Sequence, residues 1–325
     1  MNGGHCPRLR RRGASVRIRI GGADLSIAIS ITLSNLSELF GDDLAALVET
    51  ARIADAEGID QLALADHLAI GTGTDHYPYG RYPYDLDEPW MEPLTSLAAI
   101  AGATSRVRLA TGVLIAPLRP PLLLAKTAAT LDVLSQGRLD LGVGTGWHEA
   151  EFAAAGAPFE KRGARMDDTL RACLTLWNHS PASFESETVS FTDLRCLPHP
   201  RQDGGVPLWF GGGLHPANLR RMLEFGARWL PAALGNSDEV GQGIGTLRRA
   251  LTEAGRDAST LQVRAGLKRR SDAAGNLDLD ATLAGLESLE ERGVTLAALG
   301  LRGFVRDSRE IRPFLEGVSA RRRRV

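Results

Sequence analysis

The stretch LGVGTGWHEAEF, residues 141–152, decides the fold. A strand-like apolar run enters it, and Gly142, Gly144 and Gly146 follow at alternate positions. Trp147, His148 and two acids, Glu149 and Glu151, come next. A dinucleotide-binding turn would need G-x-G-x-x-G between a strand and an immediate helix, with an acid at the end of the next strand. Here the spacing is G-x-G-x-G. Asp167 and Asp168 lie at about the right remove, but inside a helical pattern, and the unit is the fourth along the chain. The reading that remains is the rim of a barrel, where the C-terminal ends of parallel strands face a common site.

The flanking pattern supports the barrel. Strands are expected over 25–30, 61–67, 107–115, 138–144, 206–213, 227–232, 261–267 and 295–301, from short apolar runs bounded by turn residues. Helices are expected over 41–58, 93–105, 119–137, 164–178, 216–226, 238–255, 279–293 and 308–318. Asp42 is a plausible cap and Gly58 a plausible stop for the first of these. Eight strand–helix pairs in strict alternation imply parallel strands with right-handed crossovers. The expected fold is therefore a (β/α)8 TIM barrel. Two long connections interrupt it: an insertion after strand 2, residues 68–92, and one after helix 4, residues 179–205, which would form a small hairpin. Such segments suit lids or oligomer contacts, and a homodimer is one expectation.

Composition narrows the class. The chain has 325 residues, 43% of them hydrophobic, and a formal net charge of -1, which gives no electrostatic reason to expect nucleic acid. Residues 1–22 read as an extension, 23–320 as one barrel domain and 321–325 as a basic tail. No apolar run is long enough to span a bilayer, so no membrane is expected. Cys6, Cys173 and Cys196 show no CxxC spacing, which fits a reducing cytoplasm. Histidines lack H-x-H or H-x3-H spacing, so no metal site is expected. His76 and His148 receive no role.

The strand ends bring together Asp66-His67, Thr111-Gly112-Val113, Gly144-Thr145-Gly146-Trp147-His148 and Gly211-Gly212-Gly213. Glycine there lets backbone approach something flat or phosphorylated. The triple glycine precedes a helix whose free N–H groups would hold a phosphate, although a permissive loop would use the same residues. A hydride moving to or from a flat ring needs a proton partner, and a histidine such as His67 suits that task. Tyr77, Tyr79, Tyr82, Tyr84 and Trp90 make the first insertion an aromatic wall for a small-molecule substrate, or a dimer contact.

The run LSQGRLDLGVGTGWHEAEFAAAG, together with PLWFGGG, resembles the luciferase-like flavin and deazaflavin oxidoreductases, and most closely the branch that uses coenzyme F-420. That resemblance covers roughly residues 24–235. It implies the same barrel and an oxidoreductase that transfers a hydride between F-420 (8-hydroxy-5-deazaflavin) and a small organic substrate. It also implies two alternatives: an FMN-dependent monooxygenase fed by a separate flavin reductase, or a non-catalytic flavin-binding barrel. Position by position, it places Asp66 and His67 beside the redox ring, with His67 catalytic. It places Gly112-Val113 at a non-proline cis peptide behind the ring, and Thr145 and Gly146 along the pyrimidine or ribityl side. Gly211, Gly212 and Gly213 become the phosphate cradle. In the sugar-phosphate dehydrogenase branch an acid follows GTG. Here Trp147 stands in that place, so that reaction is not expected, and Glu149 reads as a helix-entry acid.

Overall fold

The computed structural model describes residues 18–20, 23–25, 27–41, 43–231 and 237–323. Asp42, the arginines of the N-terminal extension as far as Arg17, and the last two residues of the basic tail lie outside them. Eight strands form the barrel: β1 (Ala28–Thr32), β2 (Gln61–Leu64), β3 (Arg108–Thr111), β4 (Leu139–Gly144), β5 (Leu208–Gly211), β6 (Arg228–Leu230), β7 (Gln262–Gly266) and β8 (Leu296–Gly300). Every neighbouring pair is parallel. β8 pairs with β1 from Leu296↔Ala28 to Gly300↔Thr32, which closes the ring. The expected (β/α)8 TIM barrel is what the chain builds.

Helices cover the outside at Ala46–Glu57, Pro93–Ala103, Pro121–Leu134, Arg162–Asn178, Pro216–Phe225, Ser237–Glu253 and Ile311–Arg323. Three of them begin at a proline, which costs nothing where the N–H has no helical partner. Glu92 caps the second by accepting from Thr95 N at 2.6 Å. Gly58 ends the first in the left-handed region, at φ 80°. The helix expected over 279–293 is two short pieces, Leu279–Leu283 and Leu286–Glu291, with Gly285 between them.

Alternation along the strands divides the core. Outward residues such as Ile29, Ile31, Leu62, Leu109, Leu141 and Val143 pack under Leu97, Ala125, Ala128 and Leu170 of the helices. Inward residues include Ala28, Trp209, Leu230 and Leu296. The base of the barrel is polar but paired: Ser30 Oγ donates to Gln61 Oε1 at 2.9 Å, and Gln61 Nε2 donates to Asp140 Oδ2 at 2.9 Å. Arg108 grips Asp140 through two bonds of 2.7 Å. Buried polar groups satisfied in this way stiffen the interior without leaving a charge unpaired.

Both expected insertions are present. Residues 68–92 wrap over the mouth with one short helical turn, Thr74–His76. Residues 179–205 contain the antiparallel hairpin Ala182–Glu185 with Ser190–Leu194. Three smaller elements were not expected. Ile18–Ile20 pairs antiparallel with Ala23–Leu25, so part of the stretch read as an extension is a strand. A short helix, Glu149–Ala154, follows β4, and a hairpin joins Arg270–Ser271 to Leu277–Asp278. No helix among the described residues is long and apolar enough to cross a membrane.

Candidate active site

The strand expected over 107–115 is interrupted. β3 stops at Thr111, the Gly112-Val113 peptide is cis, and Leu114–Ile115 resumes parallel pairing with β4. The interruption throws Val113 into the barrel mouth. A Cβ on Gly144 would sit 2.8 Å from Val113 Cγ2, and one on Gly211 would sit 2.8 Å from Val113 Cγ1. These two glycines therefore make room for a valine of the same chain. Gly146, at φ 74°, likewise makes room for Ile115 and Phe152, each 2.7 Å from where its Cβ would be. At these three positions the bare backbone accommodates side chains of the same chain. At Gly213 nothing lies within 4 Å, and at Gly212 only Asn218 Nδ2 does, at 3.7 Å.

The Gly211–Gly213 loop is held from behind. Asn218 Nδ2 donates to the carbonyls of Gly211 and Gly213 at 2.9 and 3.0 Å, and Trp229 Nε1 donates to Gly212 O at 2.8 Å. Gly212 has φ 99°, where a side chain is strained. The loop runs into helix Pro216–Phe225, which His215 caps by accepting from Asn218 N at 3.4 Å. Its first turn faces the mouth with the partial positive charge of a helix N-terminus.

His67 and Asp66 leave β2 in opposite directions. Asp66 turns into the protein and its side chain is fully enclosed. It forms a two-bond ion pair with Arg119, through Arg119 Nη1 and, at 2.8 Å, Nη2, and accepts from Ile115 N at 2.8 Å. Burial pushes its carboxyl up, against the opposing pull of Arg119. Asp66 was expected beside the ring. Its side chain is enclosed, and it pins Ile115 and thereby the resumed strand.

His67 turns into the mouth. Its Nδ1 donates to Glu151 Oε2 at 3.0 Å, and the other oxygen of Glu151 accepts from Leu68 N at 2.5 Å. A carboxylate accepts only, so this pair places the imidazole proton on Nδ1 and leaves Nε2 as the free face. Trp90 and Trp147 meet the ring edge-on, with centroids at 4.8 and 5.7 Å. Tyr77 and Tyr82 pack on Trp147, and Tyr84 on Trp90, so the first insertion is an aromatic wall around His67. Thr145 is half-buried beside Trp147 on the same rim.

The sequence reading passed over Glu151 and Arg119. Each meets its partner across a long sequence gap, 84 residues for His67–Glu151 and 53 for Asp66–Arg119. A faint signal for Glu151 was its place next to Phe152 on the buried face of a short helix.

His148 also has a definite place. It is 2% exposed, and its Nε2 accepts from Gly71 N at 2.8 Å, tying the first insertion to the rim. Burial holds its pKa below the ordinary histidine value, opposed by the nearby Glu151. The neutral ring is thus the form that suits the fold. The stability it gives is complete above the unfolded pKa of about 6.5 and is lost as pH falls through that value toward the lower folded one. Thermal unfolding between pH 7.5 and 5 should show this loss, and His148→Gln should flatten it. An identical pH slope in the variant would contradict the assignment.

The family model described as luciferase-like monooxygenase matches residues 20–270. An uncharacterized protein of Mycobacterium tuberculosis is 30% identical over 265 residues, covering 80% of this chain and 86% of that one. An F420-dependent glucose-6-phosphate dehydrogenase of Amycolatopsis mediterranei is 30% identical over 171 residues, 51% of this chain and 47% of that one. Among solved structures, the monooxygenase RslO1 of Streptomyces bottropensis superposes with a TM-score of 0.70 at 20% identity, over 90% of this chain and 98% of that one. With the closed barrel and the extent of the match, the chain belongs to the luciferase-like monooxygenase family, and is an oxidoreductase of the flavin and deazaflavin kind.

Proposed function

We propose that this chain transfers a hydride between coenzyme F-420 and a small organic substrate at the C-terminal mouth of the barrel, with His67 managing the accompanying proton. The observation that carries the reading is the His67–Glu151 pair: a buried imidazole with a fixed tautomer, its Nε2 turned into an aromatic-walled mouth.

The residues present fit such a coenzyme. Open space at Gly212 and Gly213 in front of a helix N-terminus suits a phosphate. The Gly112-Val113 step would give a flat ring a floor, and Thr145 and Gly146 would border its flank. When bound, F-420 supplies a carrier that exchanges electrons in pairs as hydride. The chain's own residues do the rest. Glu151 orients His67 and stabilises the imidazolium that forms when Nε2 takes a proton. Trp90, Trp147, Tyr77 and Tyr82 exclude water from the reacting face. Asp66 and Arg119 hold Ile115, and through it the floor.

F-420 is favoured over FMN by the F420-dependent relative, which is similar at the level of sequence rather than fold alone. FMN, served by a separate flavin reductase, is the second reading, and the family's description as monooxygenases favours it. The His67–Glu151 pair weighs against a barrel that binds a flavin without turnover. The test is a matched titration of the purified protein with both coenzymes. F-420 should bind, and more tightly than FMN.

A further inference from the structure

Arg264 enters the barrel from the middle of β7, between Val263 and Ala265, which face outward and are 0% and 2% exposed. Its side chain rises through the interior toward the mouth. Nε donates to Ser30 Oγ at 2.9 Å and Nη2 to Thr32 Oγ1 at 2.9 Å, both on β1. Nη1 takes neither bond. It lies across the barrel on the β3 side, 3.6 Å from where a Cβ on Gly112 would be. Among the described residues no carboxylate forms an ion pair with this guanidinium. Arg119, Arg221 and Arg108 show the usual arrangement, each meeting a buried aspartate. A cation held among neutral hydroxyls in the interior is costly unless an anion completes it. The low-polarity surroundings pull its pKa down to about 10, which still leaves it charged near neutrality.

We infer that Arg264 is the anchor for a carboxylate on the substrate, received at Nη1 beside Gly112. One free nitrogen and one unit of charge match a single monoanionic group. The inference rests on the reading of the mouth as the active site and adds the substrate class: small organic acids. Nε and Nη2, fixed by Ser30 and Thr32, keep the guanidinium plane in place so that little rotamer freedom is lost on binding.

Propionate is the probe, with chloride at matched ionic strength as control and inorganic phosphate as the dianion. Propionate should raise the unfolding midpoint of the purified protein saturably, with phosphate weaker and chloride inert. Arg264→Gln should weaken the propionate response at least 10-fold, and Arg264→Lys should keep part of it. Propionate should also slow modification of Arg264 by phenylglyoxal, read by peptide mass, a measurement that needs no variant. No response in the wild-type protein, or an equal response in Arg264→Gln, overturns the inference. So does an Arg264→Gln protein that keeps the propionate response and loses F-420 affinity, which would assign the guanidinium to the coenzyme. If neither coenzyme binds the wild-type protein while the propionate response still depends on Arg264, the proposed function fails and the carboxylate site stands.

Discussion

Replacing His67 with alanine should lower turnover by roughly 10²–10⁴-fold, the usual worth of a positioned acid–base group, while coenzyme affinity changes little. The reason is the geometry at the end of β2. Glu151 takes Nδ1 at 3.0 Å, so Nε2 is the atom offered to the mouth, and the aromatic wall holds the ring upright. The loss should fall on kcat, because the proposed role of the imidazole is with the reacting proton and not with the phosphate end of the coenzyme. The removed ring also leaves Glu151 with one hydrogen bond, from Leu68. Unfolding should therefore be followed alongside rates, so that a loss of fold is not mistaken for a loss of chemistry. Near-normal turnover in His67→Ala would return His67 to a structural role.

Gly142→Ala should have the largest effect on folding. A Cβ there would fall on the Thr111 carbonyl oxygen, and Leu230 Cδ1 would be 3.0 Å away. The obstacle on one side is backbone, which cannot rotate aside, and Thr111 Oγ1 already ties the strands together by donating to Gly142 O at 2.6 Å. Overpacking a core commonly costs about 1–3 kcal/mol. A collision with backbone in a closed barrel should reach the top of that range or pass it. The matched control is Gly245→Ala, on helix Ser237–Glu253, where nothing lies within 4 Å of the new Cβ. That change should stabilise by about 0.5–1 kcal/mol, from helix propensity alone. Equal unfolding midpoints for the two variants would contradict this account of the strand contact.

The barrel was legible in the sequence because its determinants are local. Each strand is a short apolar run and each helix an amphipathic one, and their alternation fixes the parallel order. What was not legible depends on residues far apart in the chain. The strand over 107–115 reads as continuous. It breaks at Gly112-Val113 in a setting where Val113 sits against Gly144 and Gly211, positions that sequence reading assigned to a ligand. The glycine pattern was thus correctly placed at the mouth and incompletely explained. Asp66 and His67 are neighbours in sequence, yet strand alternation sends them to opposite sides, one to Arg119 and one to Glu151. Arg264 carried a signal that went unread: a lone charge in the apolar run LQVRAGL, at the position whose flanking residues face outward. An alternating strand with a charge on its inward face asks what that charge meets.

The proposed deazaflavin-using hydride-transfer site at this mouth can be checked by the matched titration carried on into oxygen. The purified protein is titrated with F-420 and with FMN under the same conditions. Each complex is then reduced, FMN by a flavin reductase, and exposed to air while oxygen uptake is recorded. F-420 should bind, FMN should bind more weakly, and the reduced F-420 complex should take up no oxygen above the protein-free control. Tight FMN binding without detectable F-420 binding, followed by oxygen consumption with the reductase present, would contradict it and make the chain an FMN-dependent monooxygenase.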